Sequence, residues 1–188
     1  MCRHIGYIGN KAKIKDVLID KDHSLIDMAF KPKEMKNAKL NADGFGIGWH
    51  KYKDFYSYRN CLPIWNDINF FSITENIESN LIMGNVRSAT LPDDISYHNT
   101  HPFKWKNFLF SHNGYIKDFE KSVKKEIIKL LDYSYLSAIS GNTDSEYIFF
   151  LIIQIYNQEK NFKKTISKTI DILSTISDEA MLNFMIAH

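Results

Sequence analysis

The sequence predicts an α+β fold, with antiparallel strands early and in the middle, paired helices later, and a closing strand. Three observations carry this. Short apolar stretches punctuated by glycine read as strands around 2–9, 41–50, 55–59, 81–87 and 108–114. Apolar residues at helical spacing follow over 117–131, 143–158 and about 161–176. Of the eight glycines, seven (6, 9, 44, 46, 48, 84 and 114) lie in these strands or their turns and Gly141 just before the helix over 143–158, as if the segments meet around something small.

Residues 2–9, Cys-Arg-His-Ile-Gly-Tyr-Ile-Gly, read as the first strand. Ser24 suits an N-cap for a helix carrying Leu25, Met28 and Ala29, and Pro32 should end that helix or lie just beyond it. Asn41-Ala-Asp-Gly44 is a turn feeding a glycine-rich strand, with Phe55–Arg59 as its hairpin partner. Leu81–Arg87 is a buried strand ending in an arginine. Phe108–Gly114 is a strand that should stop at the Asn-Gly turn signal. The helix over 117–131 places Phe119, Val123 and Ile127 on one face. Thr143 and Glu146 match a capping box. The helix behind them is apolar nearly all round and should be buried. The next helix carries Ile166, Ile170 and Leu173 on its inner face, and residues 181–188 form a last strand with the alternation of an inner one.

With 188 residues the chain fits one domain, 1–188. Its 24 basic and 22 acidic residues give no argument for nucleic acid or an anionic membrane as partner. The longest apolar run, Ile148–Ile153, is too short to span a bilayer. Two cysteines, Cys2 and Cys61, make neither a disulfide framework nor a zinc motif. A cytoplasmic protein without metal or cofactor is the expectation.

Cys2 carries the chemistry. Removal of Met1 would leave a thiol nucleophile and a free α-amine on one residue. The amine ordinarily titrates near pH 7.7–8, where a general base works well. It can take the proton that a thiol must lose to become reactive. The competing reading is a small apolar residue opening a strand.

Six motifs accompany it in order: Met1-Cys-Arg3, Asn41-Ala-Asp-Gly-Phe-Gly-Ile-Gly-Trp49, Asn85-Val-Arg-Ser-Ala-Thr90, Asn99-Thr-His-Pro-Phe103, Ser111-His-Asn-Gly114 and Gly141-Asn-Thr-Asp-Ser-Glu146. Together they resemble the class II glutamine amidotransferase domain of the N-terminal-nucleophile (Ntn) hydrolases. The likeness is greatest to the stand-alone branch that includes the γ-glutamyl hydrolase of ergothioneine biosynthesis. The resemblance implies a four-layer αββα sandwich, two stacked antiparallel sheets between helices. It also implies hydrolysis of glutamine or a γ-glutamyl amide through a thioester on Cys2.

On the matching positions, Asn113 and Gly114 would form the oxyanion hole, the alternative being an ordinary turn. Arg87 would hold the substrate α-carboxylate, assisted by Thr90; the alternatives are a surface ion pair and a loop threonine. Asp144 would take the α-ammonium, although an aspartate in a first helical turn is favoured by the helix dipole alone. Asp43 and Gly44 would support the nucleophile, the alternative for Asp43 being an ordinary turn residue. His101 and His112 read as supporting or core histidines. A metal-dependent hydrolase using His98, His101 and Cys61 is a rival without a standard zinc spacing.

Two alternatives stay open. A strand that runs to the last residue raises a C-terminally truncated fold. A retained Met1 would leave a non-catalytic domain that binds a glutamine-type ligand. The partner implied is a small-molecule substrate, with a separate ammonia-accepting protein if the nitrogen is passed on.

Overall fold

Four strands form the first sheet of the computed structural model, which describes residues 2–31, 40–89 and 94–188. They are β1 (Arg3–Lys13), β2 (Phe45–Lys51), β3 (Asp54–Asn60) and β4 (Glu78–Val86), in the order β1-β4-β2-β3. Every neighbouring pair is antiparallel. β2 and β3 make the expected hairpin, and β1 runs four residues further than its glycine pattern indicates.

Strand alternation gives this sheet two unlike faces. One carries Phe45, Ile47, Ile82 and Val86. These residues pack with Ile14 and Leu18 of α1 (Ile14–Leu18), Leu25 and Ala29 of α2 (Leu25–Phe30) and Phe70 of α3 (Ile68–Asn76) in a fully buried cluster. Each large side chain buried there is worth about 1.5–3 kcal/mol. α2 begins where Ser24 predicts: its hydroxyl accepts the Asp27 N–H at 3.0 Å, and the Asp27 carboxylate accepts the Ser24 N–H at 3.2 Å. The helix ends at Phe30, and Pro32 lies outside the described residues.

The opposite face meets a second sheet of order β5-β6-β7, formed by β5 (Phe103–Trp105), β6 (Phe108–Ile116) and β7 (Ala180–Ala187). The approach is close. A Cβ at Gly48 would lie 2.6 Å from the Leu109 side chain, so a side chain at that position of β2 would force Leu109 to move. Leu109, Met83, Phe55 and Ala187 form a second buried cluster between the two sheets. β7 occupies one edge of its sheet among the described residues.

The chain divides into two units, 1–113 with 184–188, and 114–183. The features above belong to the first unit, apart from the stretches of β6 and β7 that lie in the second. The second unit contains α4 (Lys124–Leu130), α5 (Tyr133–Leu136), α6 (Asp144–Glu159) and α7 (Phe162–Ile176). The expected helix over 117–131 is split: a π-helical turn at Phe119–Val123 leads into α4. Phe119, Val123 and Ile127 still fall on one buried stripe. α6 is buried from Ser145 to Ile155 on every face, as its apolar surround predicts. Its Gln154 side chain ties down the end of α4, donating to Leu130 O and accepting the Asp132 N–H.

Two details differ from expectation. The Thr143 hydroxyl caps nothing, and Glu146 instead accepts the N–H groups of Ser140 and Gly141, so the capping box is replaced by a clasp on the preceding turn. In α7 the fully buried stripe is Thr165, Thr169 and Leu173, while Ile170 is exposed. The threonine hydroxyls bond back to Asn161 O and Thr165 O, which lets polar residues sit inside. No described helix is long and apolar enough to cross a membrane.

Candidate active site

The site is built from the end of the first sheet. Register pairs Arg3 with Val86, Val86 with Phe45, and Phe45 with Asn60. One residue further along each strand gives the row Cys2, Arg87, Gly44, Cys61. The Arg87 N–H donates to Gly44 O at 2.8 Å, which carries the ladder into this row. Continued by the same step, the β1–β4 register sets Cys2 opposite Arg87, a position at which paired Cα atoms would stand about 4.5–5.5 Å apart.

Asp43 and Gly44 fix the arginine segment from the other side. The Asp43 N–H donates to Arg87 O at 3.0 Å, and its carboxylate accepts the Ala89 N–H at 2.8 Å. Gly44 has φ +115°, a conformation that side chains rarely adopt. Asp43 thus braces the Arg87 strand end. Arg87 is 5% exposed, and its guanidinium donates to Asp94 O at 2.8 Å. That contact spends one of five N–H donors.

Asn113 lies two residues beyond Ser111 on β6, the strand that faces this end of the first sheet. Cys2 and His4 of the β1 segment and Asn85 and Arg87 of the β4 segment alternate onto the face that meets β6. Leu109 packs at Gly48 and Met83, and Ser111 accepts from Asn85 Nδ2 at 3.1 Å. Each two-residue step on β6 thus matches a two-residue step on β4, from Met83 to Asn85. A further two-residue step along β6 from Ser111 leads to Asn113. The Asn-Gly pair is not a turn: β6 continues through Asn113 and Gly114 to Ile116, because strand pairing outweighs the local turn preference.

In the second unit, Asp144 is the first residue of α6. Its Oδ2 accepts the Ile116 N–H at 2.8 Å, and its Oδ1 accepts the Ser145 hydroxyl at 3.1 Å. An ionised carboxylate offers about four acceptor positions, so two remain. Thr90 and Met1 lie outside the described residues.

The histidines separate clearly. His98 is exposed, while His101 and His112 are buried. Among the described residues no three His, Cys, Asp or Glu side chains group as metal ligands. His101 packs against Phe103 with the rings tilted and 4.4 Å between their centroids, and neither ring nitrogen has a hydrogen-bond partner. Burial, with the positive charge of His112, Arg87, His4 and Arg59 behind it, holds His101 well below the usual histidine range. It is neutral when folded and free to take a proton when unfolded. Stability should therefore be full above about pH 6.5 and fall by up to about 1.4 kcal/mol per pH unit below it, until the folded form also protonates. Urea unfolding of wild type and His101→Leu between pH 7.5 and 5 checks this. The variant should lose that increment of acid sensitivity, and parallel profiles would refute it.

What sequence reading missed is the set of side chains under the site: Ser111, His4 and Asn85. The alternation of β6 was the available signal for Ser111, but a buried serine in an apolar run has no marker of its own.

With this geometry in place, likeness to known proteins can be judged. A sequence profile of class-II glutamine amidotransferases matches residues 21–188, which include Arg87, Thr90, Asn113, Gly114 and Asp144 but not Cys2. The γ-glutamyl-hercynylcysteine sulfoxide hydrolase of Mycobacterium tuberculosis is 32% identical over 116 residues, 62% of this chain and 50% of that protein. The "probable glutamine amidotransferase DUG3" of Saccharomyces cerevisiae is 28% identical over 202 residues, 96% of this chain and 56% of that protein. The chain thus spans about half the length of these relatives. Among solved structures, a glutamine amidotransferase class-II domain protein from Silicibacter pomeroyi superposes with a TM-score of 0.67 at 20% identity, over 100% of this chain and 72% of that one. The glutamine phosphoribosylpyrophosphate amidotransferase of Bacillus subtilis gives 0.58 at 18% identity, over 78% and 29%. These two share the fold, an α+β arrangement of two antiparallel sheets and helices typical of Ntn hydrolases. By its sequence match and its fold, this chain belongs to the class-II glutamine amidotransferase family.

Proposed function

We propose that the chain is one amidotransferase domain that cleaves the side-chain amide of glutamine or a γ-glutamyl compound, with Cys2 as nucleophile. The observation that supports this reading is the strand register, which continued by one residue from Arg3 and Val86 sets Cys2 opposite Arg87, with Asn113 two positions beyond Ser111 on the facing strand. A nucleophile, a carboxylate-binding cation and an amide donor then lie within reach of one amino-acid substrate.

After removal of Met1, the Cys2 α-amine takes the thiol proton and the sulfur attacks the amide carbon. A C–S bond forms, and the carbonyl oxygen becomes an oxyanion that Asn113 Nδ2–H and the Gly114 N–H stabilise. Collapse breaks the C–N bond, and the protonated α-amine gives its proton to the departing nitrogen. Water then attacks the thioester, losing a proton to the same amine, and the product acid leaves as the thiol is restored. Arg87 pairs with the substrate α-carboxylate and Asp144 with the α-ammonium, with Thr90 assisting Arg87. A site that reads both charged ends rejects analogues lacking either. The hydrolase named among the relatives supports a γ-glutamyl substrate as readily as glutamine itself.

Intact mass before and after incubation with a glutamine-mimicking diazoketone tests the reading. The expected result is a chain without Met1 that gains one adduct, absent in Cys2→Ala. A retained Met1 and no adduct would overturn it in favour of a non-catalytic glutamine-binding domain.

A further inference from the structure

Beneath the row of Cys2 and Arg87 lies a buried polar node. Ser111 of β6 is fully buried. Its Oγ accepts from Asn85 Nδ2 of β4 at 3.1 Å and stands 3.3 Å from His4 Nδ1 of β1. Asn85 is itself fully buried and pairs directly with His4 across the ladder. One hydroxyl thus joins three strands from two sheets. A proposed site residue lies two positions along the chain from each member of the node: Cys2 from His4, Arg87 from Asn85, Asn113 from Ser111.

The surroundings make this node unusual. The contacts on either side of it include apolar ones, Leu109 against Gly48 and Met185 against Gly6. Apolar contacts are non-directional and tolerate sliding of one sheet over the other. A buried hydroxyl with partners on two strands does not, because a slip of an ångström leaves buried polar groups unpaired. Asn85 Oδ1 has no hydrogen-bond partner, so the node is held through the Asn85 amide nitrogen and the Ser111 hydroxyl.

We propose that Ser111 is a positioning residue that sets the register of β6 against β1 and β4, and so fixes the distance between the Asn113 amide and the Cys2 sulfur. This rests on the thioester reading above and adds to it the part of the fold that aligns donor with nucleophile. The role is mechanical, since Ser111 is too deeply buried to touch substrate.

A double-mutant cycle with Asn113 tests it. The four proteins are wild type, Ser111→Ala, Asn113→Ala and the double variant, with kcat and KM measured on one γ-glutamyl amide and folding followed by thermal melts. A group acting through another loses its effect when that other is gone. Ser111→Ala is expected to lower kcat about tenfold in the wild-type background, the scale of one misplaced hydrogen bond. It should lower kcat less than about twofold in the Asn113→Ala background, with KM unchanged in both. Equal losses in the two backgrounds, or a loss confined to KM, would overturn the proposal. If Ser111→Ala does not fold, Ser111→Cys, close in size and a poorer acceptor, takes its place in the cycle. A wild-type chain that turns over and takes the diazoketone on Cys2, yet gives an additive cycle, would sink only the positioning role. A wild-type chain that does neither would sink both.

Discussion

Replacing Cys2 with alanine should remove turnover altogether, a loss on the order of 10⁶-fold if the thiol is the nucleophile. No other described cysteine can substitute. Cys61 sits in the same row but three strands away, and strands stand about 4.8 Å apart, so roughly 14 Å separates the two backbones. The fold should be indifferent to the change. Cys2 is only half-buried, it precedes the first residue of β1, and alanine keeps its Cβ. The experiment is therefore clean: kcat on glutamine and on a γ-glutamyl amide, with a thermal melt alongside. An unchanged melting temperature with no turnover is the expected pair. Activity that survives in Cys2→Ala would remove the central mechanistic claim, whatever the family.

Asn113→Ala should come next in size, with kcat down by about 10²–10³ and KM nearly unmoved. The reason lies in when its amide is used. A neutral carbonyl in the bound substrate gains little from a donor, whereas the oxyanion that forms on attack gains about 2.7–4 kcal/mol. That difference appears in kcat. Steady-state kinetics at saturating substrate decide the matter. A rise in KM at constant kcat would mean that Asn113 holds the ground state instead, and the oxyanion role would pass elsewhere.

Both effects depend on a placement that only pairing reveals. The local features of the first unit were legible where chemistry is local: the Ser24 cap, the β2–β3 hairpin and the turn at Gly44 all follow from single residues and their neighbours. The proposed convergence of Cys2, Arg87 and Asn113 does not, since it depends on how segments 85 and 111 residues apart in the chain are brought together. Asn113-Gly114 shows the conflict directly. Its turn preference is real, yet strand pairing carries β6 two residues past it. α1 and α3 escaped notice because five and nine residues give too little periodicity to stand out. In α7, counting isoleucines favoured the wrong stripe, because threonines that bond to their own helix can occupy the inner one. The Thr143–Glu146 pair had the spacing of a capping box, but the preceding turn offered Glu146 two unpaired N–H groups that it accepted instead.

The all-round burial of α6 has a cost during synthesis. Tyr147 to Ile153 is a run of seven buried residues, all aromatic or aliphatic, with no charge and no proline. Such a run is harmless only while it is helical and covered. Before α7 has emerged to pack on it, the same stretch has the composition of a strand that pairs with copies of itself. The interval between the making of α6 and its covering is when this chain is most exposed to aggregation. The charged segments on either side, Lys121–Lys129 and Glu159–Lys168, stand where gatekeepers would be needed.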